Sequence, residues 1–204
     1  MPPPGGLIGG GDGGGGDGGG SDAGGGAEGG FPVKPSAVQE FPGGGTIDES
    51  VATFDANNKE ERATAEFIAQ RFRVYVRAVP RSSGRTPDAL IGTRDEVLSG
   101  KGEEVEFKSL ANQAGRARSG ATGSGDPVTT ALRQVDDSLR RGGQAKNIII
   151  DGRSVRLTRD QAIEVLNRVG GNVYGRGGAG RYAGRIRSLM FITGDGRTIG
   201  SYYR

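Results

Sequence analysis

Asp88, which follows Pro87, and the triplet Glu106-Phe107-Lys108 eighteen residues later are the side chains whose types and spacing could do chemistry. The chain holds no histidine and no cysteine. Imidazole bases, thiolate nucleophiles, disulfides and cysteine-based zinc sites are therefore excluded. Carboxylates, lysines, arginines, hydroxyls and amides remain. With that set, hydrolysis of a phosphodiester is within reach. It requires a cation on the non-bridging oxygens, an oriented nucleophile and help for the leaving oxygen. Asp88 and Glu106 can hold a divalent ion, and hard oxygen ligands select Mg²⁺ or Mn²⁺. Lys108, two residues beyond Glu106, projects from the same face of a strand and can stabilise developing charge.

These side chains need strands and helices to place them. Residues 58–70 read as an amphipathic helix, with Ala65, Ile68, Ala69 and Phe72 on one face. Arg73–Val79 alternates and is rich in β-branched residues, which predicts a strand, and Pro80–Gly84 a loop. Asp88–Ile91 reads as a short strand, 92–102 as polar and turn-rich, and Glu103–Ser109 as the next strand. Its Val105 and Phe107 then face the core opposite Glu104, Glu106 and Lys108. A small-residue loop over 110–125 precedes a helix capped by Asp126-Pro127, with a stripe of Val128, Leu132, Val135 and Leu139, ending at Gly142-Gly143. Lys146–Asp151 is a buried-type strand, Thr158-x-x-Gln161 opens a helix through Val169, and 186–193 with 198–203 form a terminal hairpin. This order predicts an α/β fold, a central mixed β-sheet flanked by helices.

Composition divides the chain. About half of its 41 glycines lie in the first 46 residues, where little is apolar enough to offset ordering entropy. Residues 1–50 are expected to be a Gly-rich disordered linker and 51–204 the functional domain. In the first 46 residues five acids oppose Lys34, a net of −4, which leaves +7 on the remainder of a chain whose total is +3. A basic domain behind an acidic linker suits a polyanionic partner. No apolar run approaches the ~20 residues of a membrane span, and no signal peptide is visible at the N-terminus.

The element order and these residues resemble the PD-(D/E)xK nuclease superfamily. The branch is that of the C-terminal toxin domains of contact-dependent growth inhibition proteins and related polymorphic toxins. The likeness rests on Glu61-x-x-Thr64-Ala65-x-x-Ile68-Ala69, the strand after it, Thr86–Ile91, Val105–Ser109, Gln144–Asp151 and the hairpin around Gly194-Asp195-Gly196. It spans roughly residues 55–204. The loop from Leu110 to Gly125 is longer than that pattern expects. The resemblance implies a catalytic set of Glu61, Asp88, Glu106 and Lys108, with the metal on Asp88 and Glu106. It implies RNA, above all transfer RNA, as substrate and a cognate immunity protein as partner. It also implies export as part of a larger or machine-delivered toxin, with action in the target-cell cytoplasm.

Plainer readings stand beside these. Asp88 after proline is also turn chemistry, and Glu106 and Lys108 also fit a solvated strand face. Glu61 is one of several acids on its helix, and a shift of helix phase puts Glu60 in its place. Gln134 and Gln144 are candidates for a supporting polar contact and Lys146 for an approach to phosphate; the reading as an exposed helix residue is the stronger one for Gln134, and a plain surface lysine explains Lys146 equally. Arg176, Arg181 and Arg185, with Tyr174 and Tyr182, can form a cationic arm that stacks on bases, or a solvated loop. RNA also permits attack by its own 2′-hydroxyl, with carboxylates as acid and base and no metal. A DNase of the same fold uses the same residues, whereas a non-catalytic nucleic-acid-binding domain uses the arginine arm and does not need Asp88. Gly175-x-Gly177-Gly178 does not follow a strand, which excludes a dinucleotide fingerprint.

Overall fold

The computed structural model describes residues 37–55, 58–84, 86–110, 126–140, 145–175 and 180–203. Eight strands form one sheet, in chain order from edge to edge. They are β1 (Val38–Glu40), β2 (Thr46–Asp48), β3 (Tyr75–Ala78), β4 (Ala89–Gly92), β5 (Glu103–Ser109), β6 (Asn147–Asp151), β7 (Ser188–Ile192) and β8 (Thr198–Tyr202). The pairs β2/β3, β5/β6 and β6/β7 are parallel and the others antiparallel, so the sheet is mixed. The helices are α1 (Lys59–Phe72), α2 (Arg94–Leu98), α3 (Pro127–Leu139) and α4 (Arg159–Tyr174). This is the α/β architecture expected.

Both faces of the sheet are covered, and β6 shows it. Ile148 and Ile150 pack with α3 and α4, whereas Ile149 packs with α1. The three central residues of this strand are all isoleucine, because neither face meets water, and the polar Asn147 and Asp151 stand at its ends. On one side Val128, Ala131, Val135 and Leu139 of α3 meet Ala162, Val165, Val169 and Val173 of α4. On the other, Ala65, Ile68 and Ala69 of α1 lie on Val76, Ala89, Val105 and Phe107.

Local chemistry sets the helix limits. In α1, Glu60 and Glu61 sit in the first turn and Arg71 in the last, complementing the macrodipole. It stops where Arg73 turns left-handed at φ 56 and donates its N–H to the Ala69 carbonyl. Asp126 caps α3 by accepting from Thr129 N, with Pro127 in the first turn. Thr158 and Gln161 form a full capping box on α4.

Three features differ from expectation. The helix α2 occupies part of the stretch read as turns; Thr93 and Glu96 form a capping box and Val97 is buried. Five residues give too little periodicity to register, although Thr93-x-x-Glu96 was the available signal. The helix α4 runs past Gly170-Gly171 to Tyr174, because Val173 enters the core and Tyr174 packs on Tyr203, ring centroids 6.4 Å apart. Tertiary packing outweighs glycine's poor helix propensity there.

The third difference is β1 and β2, which lie in residues assigned to the linker. Ile47 is buried, and the buried Asp48 carboxylate accepts from Tyr75 Oη at 2.8 Å and pairs with Arg77 at 3.2 Å. Gly43, Gly44 and Gly45 make the turn between them at φ 84, 100 and 95. A Cβ on Gly45 would stand 2.1 Å from the Ala69 carbonyl oxygen. These glycines serve a tight turn under α1, which composition alone cannot tell from linker glycine.

Candidate active site

The site opens where β4 and β5 part. Asp88 N donates to Val105 O at 3.0 Å, and Pro87 before it lacks the N–H that a further regular rung needs. The strand β5 continues to Ser109, paired on its other side with β6. Its next N–H toward β4, that of Phe107, donates to the Asp88 carboxylate at 2.8 Å. The Asp88 side chain thus replaces a missing backbone acceptor and is held at the fork. The Asp88 carbonyl accepts from Val79 N at 3.2 Å, which ties the fork to the end of β3.

Beyond the fork lies a cavity of about 270 Å³ lined by polar side chains: Asp55, Asn58, Glu61, Arg81, Asp88 and Lys108. Glu61 reaches it from the buried face of α1. Its carboxylate pairs with Arg81 Nη2 at 3.0 Å and accepts from Asn58 Nδ2 at 3.4 Å. Burial raises the Glu61 acid pKa and the Arg81 charge opposes that rise. Glu61 is buried and Glu60 half-buried, which settles the helix phase.

Glu106 and Lys108 share one face of β5, and Lys108 Nζ meets Glu106 Oε1 at 2.5 Å. Glu106 is 1% exposed. It sits just behind the cavity wall, linked to it through Lys108. Its other oxygen, Oε2, is buried without a hydrogen-bond partner. Burial chiefly, then the Glu61 charge, pushes the Asp88 acid up to about 7; the Phe107 N–H and Lys108 oppose this and Glu106 adds to it. Glu61, Glu106 and Lys108 thus all lie within electrostatic reach of Asp88.

This donor set fits a divalent cation. An orphaned buried carboxylate oxygen and carboxyls that repel one another are both relieved by positive charge. Among the described residues no group of three or more acidic, histidine or cysteine side chains forms a ready-made cage. A magnesium-like ion needs no such cage: one or two carboxylates suffice when water and substrate oxygens complete its shell.

The structure separates the other candidates. Gln134 is buried rather than exposed, and its Nε2 donates to Ser109 O at 3.2 Å, one residue past Lys108. It braces the end of β5. Lys146 is exposed and precedes β6, at the far end of that strand from Ile150, the register partner of Lys108. Arg181 pairs with Asp136 of α3 at 2.6 Å, and Arg185 is exposed nearby. Tyr182 cannot stack on bases, because it is buried in the core and its hydroxyl donates to Asp136 at 2.9 Å. Gly180–Arg185 is therefore folded against α3, away from the cavity. Arg176 and Gln144 lie outside the described residues, as does 111–125 of the long loop.

Sequence reasoning missed Arg81, Asp55 and Asn58. Arg81 pairs with Asp55 at 3.1 Å as well as with Glu61. No spacing rule links residue 81 to residues 55 and 61; only the fold brings them together. It also missed Asp151, at the end of β6. Arg153 grips its carboxylate at 2.6 Å and donates to the Ala63 carbonyl at 3.1 Å, while Thr64 donates to the same carboxylate at 3.2 Å. This clamp fixes α1, and with it Glu61, over β6.

No protein-family model and no curated protein matches the chain. It is similar to a solved chain of a CdiA-CT/CdiI toxin and immunity complex from Burkholderia pseudomallei. The identity is 16%, over 74% of this chain and 90% of that one, at a TM-score of 0.40. No helix among the described residues is long and apolar enough to cross a membrane.

Proposed function

We propose that the chain is a nuclease toxin domain that cleaves RNA, most readily transfer RNA, at the β4/β5 fork. The observation that carries this is the meeting of Glu61, Asp88 and Lys108 around one polar cavity, with Glu106 bonded to Lys108 behind them. Residues from a helix and two strands, far apart in the chain, share a pocket whose surface is almost all polar. A purely structural network has no need of the open cavity.

In this reading Asp88 and Glu106 hold Mg²⁺ or Mn²⁺, which when bound supplies positive charge to the phosphate. The Lys108 ammonium stabilises charge developing on the phosphodiester. Glu61 assists as a further carboxylate. With its acid near 7, Asp88 also suits proton transfer at neutral pH, which serves the route through a 2′-hydroxyl. The sequence resemblance adds delivery into a target cell and a cognate immunity protein in the producer.

The test is incubation of the full chain with bulk transfer RNA and with plasmid DNA, each with and without EDTA. Cleavage of RNA that Asp88→Asn and Lys108→Met both abolish is expected. A 5′-phosphate end with EDTA sensitivity indicates hydrolysis by water, and a 2′,3′-cyclic phosphate indicates internal attack. Cutting of plasmid alone would move the assignment to DNA. Intact RNA and DNA under all conditions would refute the nuclease reading.

A further inference from the structure

Among the described residues Arg81 is the exposed cation that lines the cavity, and nothing in the catalytic set accounts for it. Its side chain is 57% exposed, while the Glu61 carboxylate beneath is 5% exposed. Nη1 pairs with Asp55 and Nη2 with Glu61. A guanidinium carries five N–H donors in a planar fork. Two are engaged in this way, which leaves donors directed toward solvent at the cavity rim. Lys108, the other cation lining the cavity among the described residues, is already committed to Glu106. An anionic substrate approaching three carboxylates, Asp55, Glu61 and Asp88, needs an accessible positive group, and a bidentate fork suits phosphate better than a point charge.

We propose that Arg81 binds a phosphate of the substrate backbone at the entrance to the cavity, moving part of its pairing from Asp55 and Glu61 to that phosphate. The inference deepens the nuclease reading and rests on it for the identity of the substrate. It goes further by assigning a residue that touches the nucleic acid, and by making Asp55 its competitor. Because Arg81 covers Glu61, the same movement uncovers the Glu61 carboxylate when substrate arrives. Arg81 thus couples phosphate binding to exposure of a buried acid.

The experiment uses the full chain carrying Asp88→Asn, so that RNA survives. Its affinity for fluorescently labelled bulk transfer RNA is measured from 50 to 200 mM KCl. Adding Arg81→Gln is expected to weaken binding about tenfold at low salt and to reduce the slope of log K against log salt by about 0.7–0.9, one phosphate contact. Arg81→Lys should keep the slope while binding less tightly than arginine. Asp55→Asn should tighten binding several-fold, and that gain should disappear when Arg81→Gln is also present, the coupling that separates a shared guanidinium from general charge removal. An unchanged affinity and slope for Arg81→Gln would overturn the assignment. So would an Asp55→Asn gain that persists without Arg81, or no measurable RNA binding at 50 mM salt. Cleavage by the unsubstituted chain is scored separately. If it cuts neither RNA nor DNA, the nuclease reading falls while the binding data still decide Arg81.

Discussion

Asp88→Asn should make the protein more stable at pH 8 while removing its activity. Asparagine keeps the shape and the acceptor for the Phe107 N–H, which Asp88 now binds at 2.8 Å. It removes the charge. Burial, then Glu61, lifts the Asp88 acid from 3.8 to about 7. A carboxyl whose folded pKa exceeds its unfolded one holds its proton more tightly in the native state. Its stabilising contribution is therefore fully present below about pH 4 and is lost as pH rises through about 7. A rise of about three units corresponds to about 4 kcal/mol. Solvent at the open side of the cavity screens part of this, which leaves about 2 kcal/mol. For a domain of this size that is about 4–8 °C in Tm. Calorimetry of both proteins from pH 4 to pH 8 checks it. The two Tm values should coincide near pH 4 and separate through neutrality, with the variant higher. Parallel curves, or a variant less stable at pH 8, would refute the claim that the fork holds a stressed carboxyl.

Other outcomes follow from the same geometry. If Asp88 acts as the base of the metal-free 2′-hydroxyl route, kcat/KM for RNA in EDTA should fall as pH drops below about 7, and a flat profile between pH 5.5 and 8 would contradict this. Lys108→Met leaves Glu106, 1% exposed, as a lone buried charge and should cost about 3–5 kcal/mol in denaturant melts, of which Glu106→Gln in the same chain restores a large part. Millimolar Mg²⁺ should raise the Tm of the unsubstituted chain by one to a few degrees and leave Asp88→Asn unmoved, as expected for a ligand of the native state. Ile47→Ala should cost about 2–4 kcal/mol, because Ile47 is core and not linker. Gly45→Ala should also destabilise, by strain against α1.

Much of the site was legible because its signals are short-range. Glu106 and Lys108 are two apart on a strand, so pleating alone puts them on one face, and their ion pair follows. The buried face of α1 carries Glu61, Thr64, Ala65, Ile68 and Ala69 at spacings of three and four. What was not legible came from partners far off in the chain. The value of Arg81 depends on Asp55 and Glu61, and Gln134 looked like a surface residue until α3 met the end of β5. Tyr182 looked available to stack on bases until its hydroxyl found Asp136. The strands β1 and β2 are three residues each, too short for a period to show, and their glycines mimic a linker.

The amino-acid order by itself determined the kinds of chemistry open to the protein, because composition removes imidazole and thiol outright. It also determined most elements, because strand and helix periods are properties of neighbours. The tertiary structure alone decided which acids share a cavity, which are buried, and which cation stands at the entrance. Burial and charge act through space, across a fork between strands that no local pattern encodes.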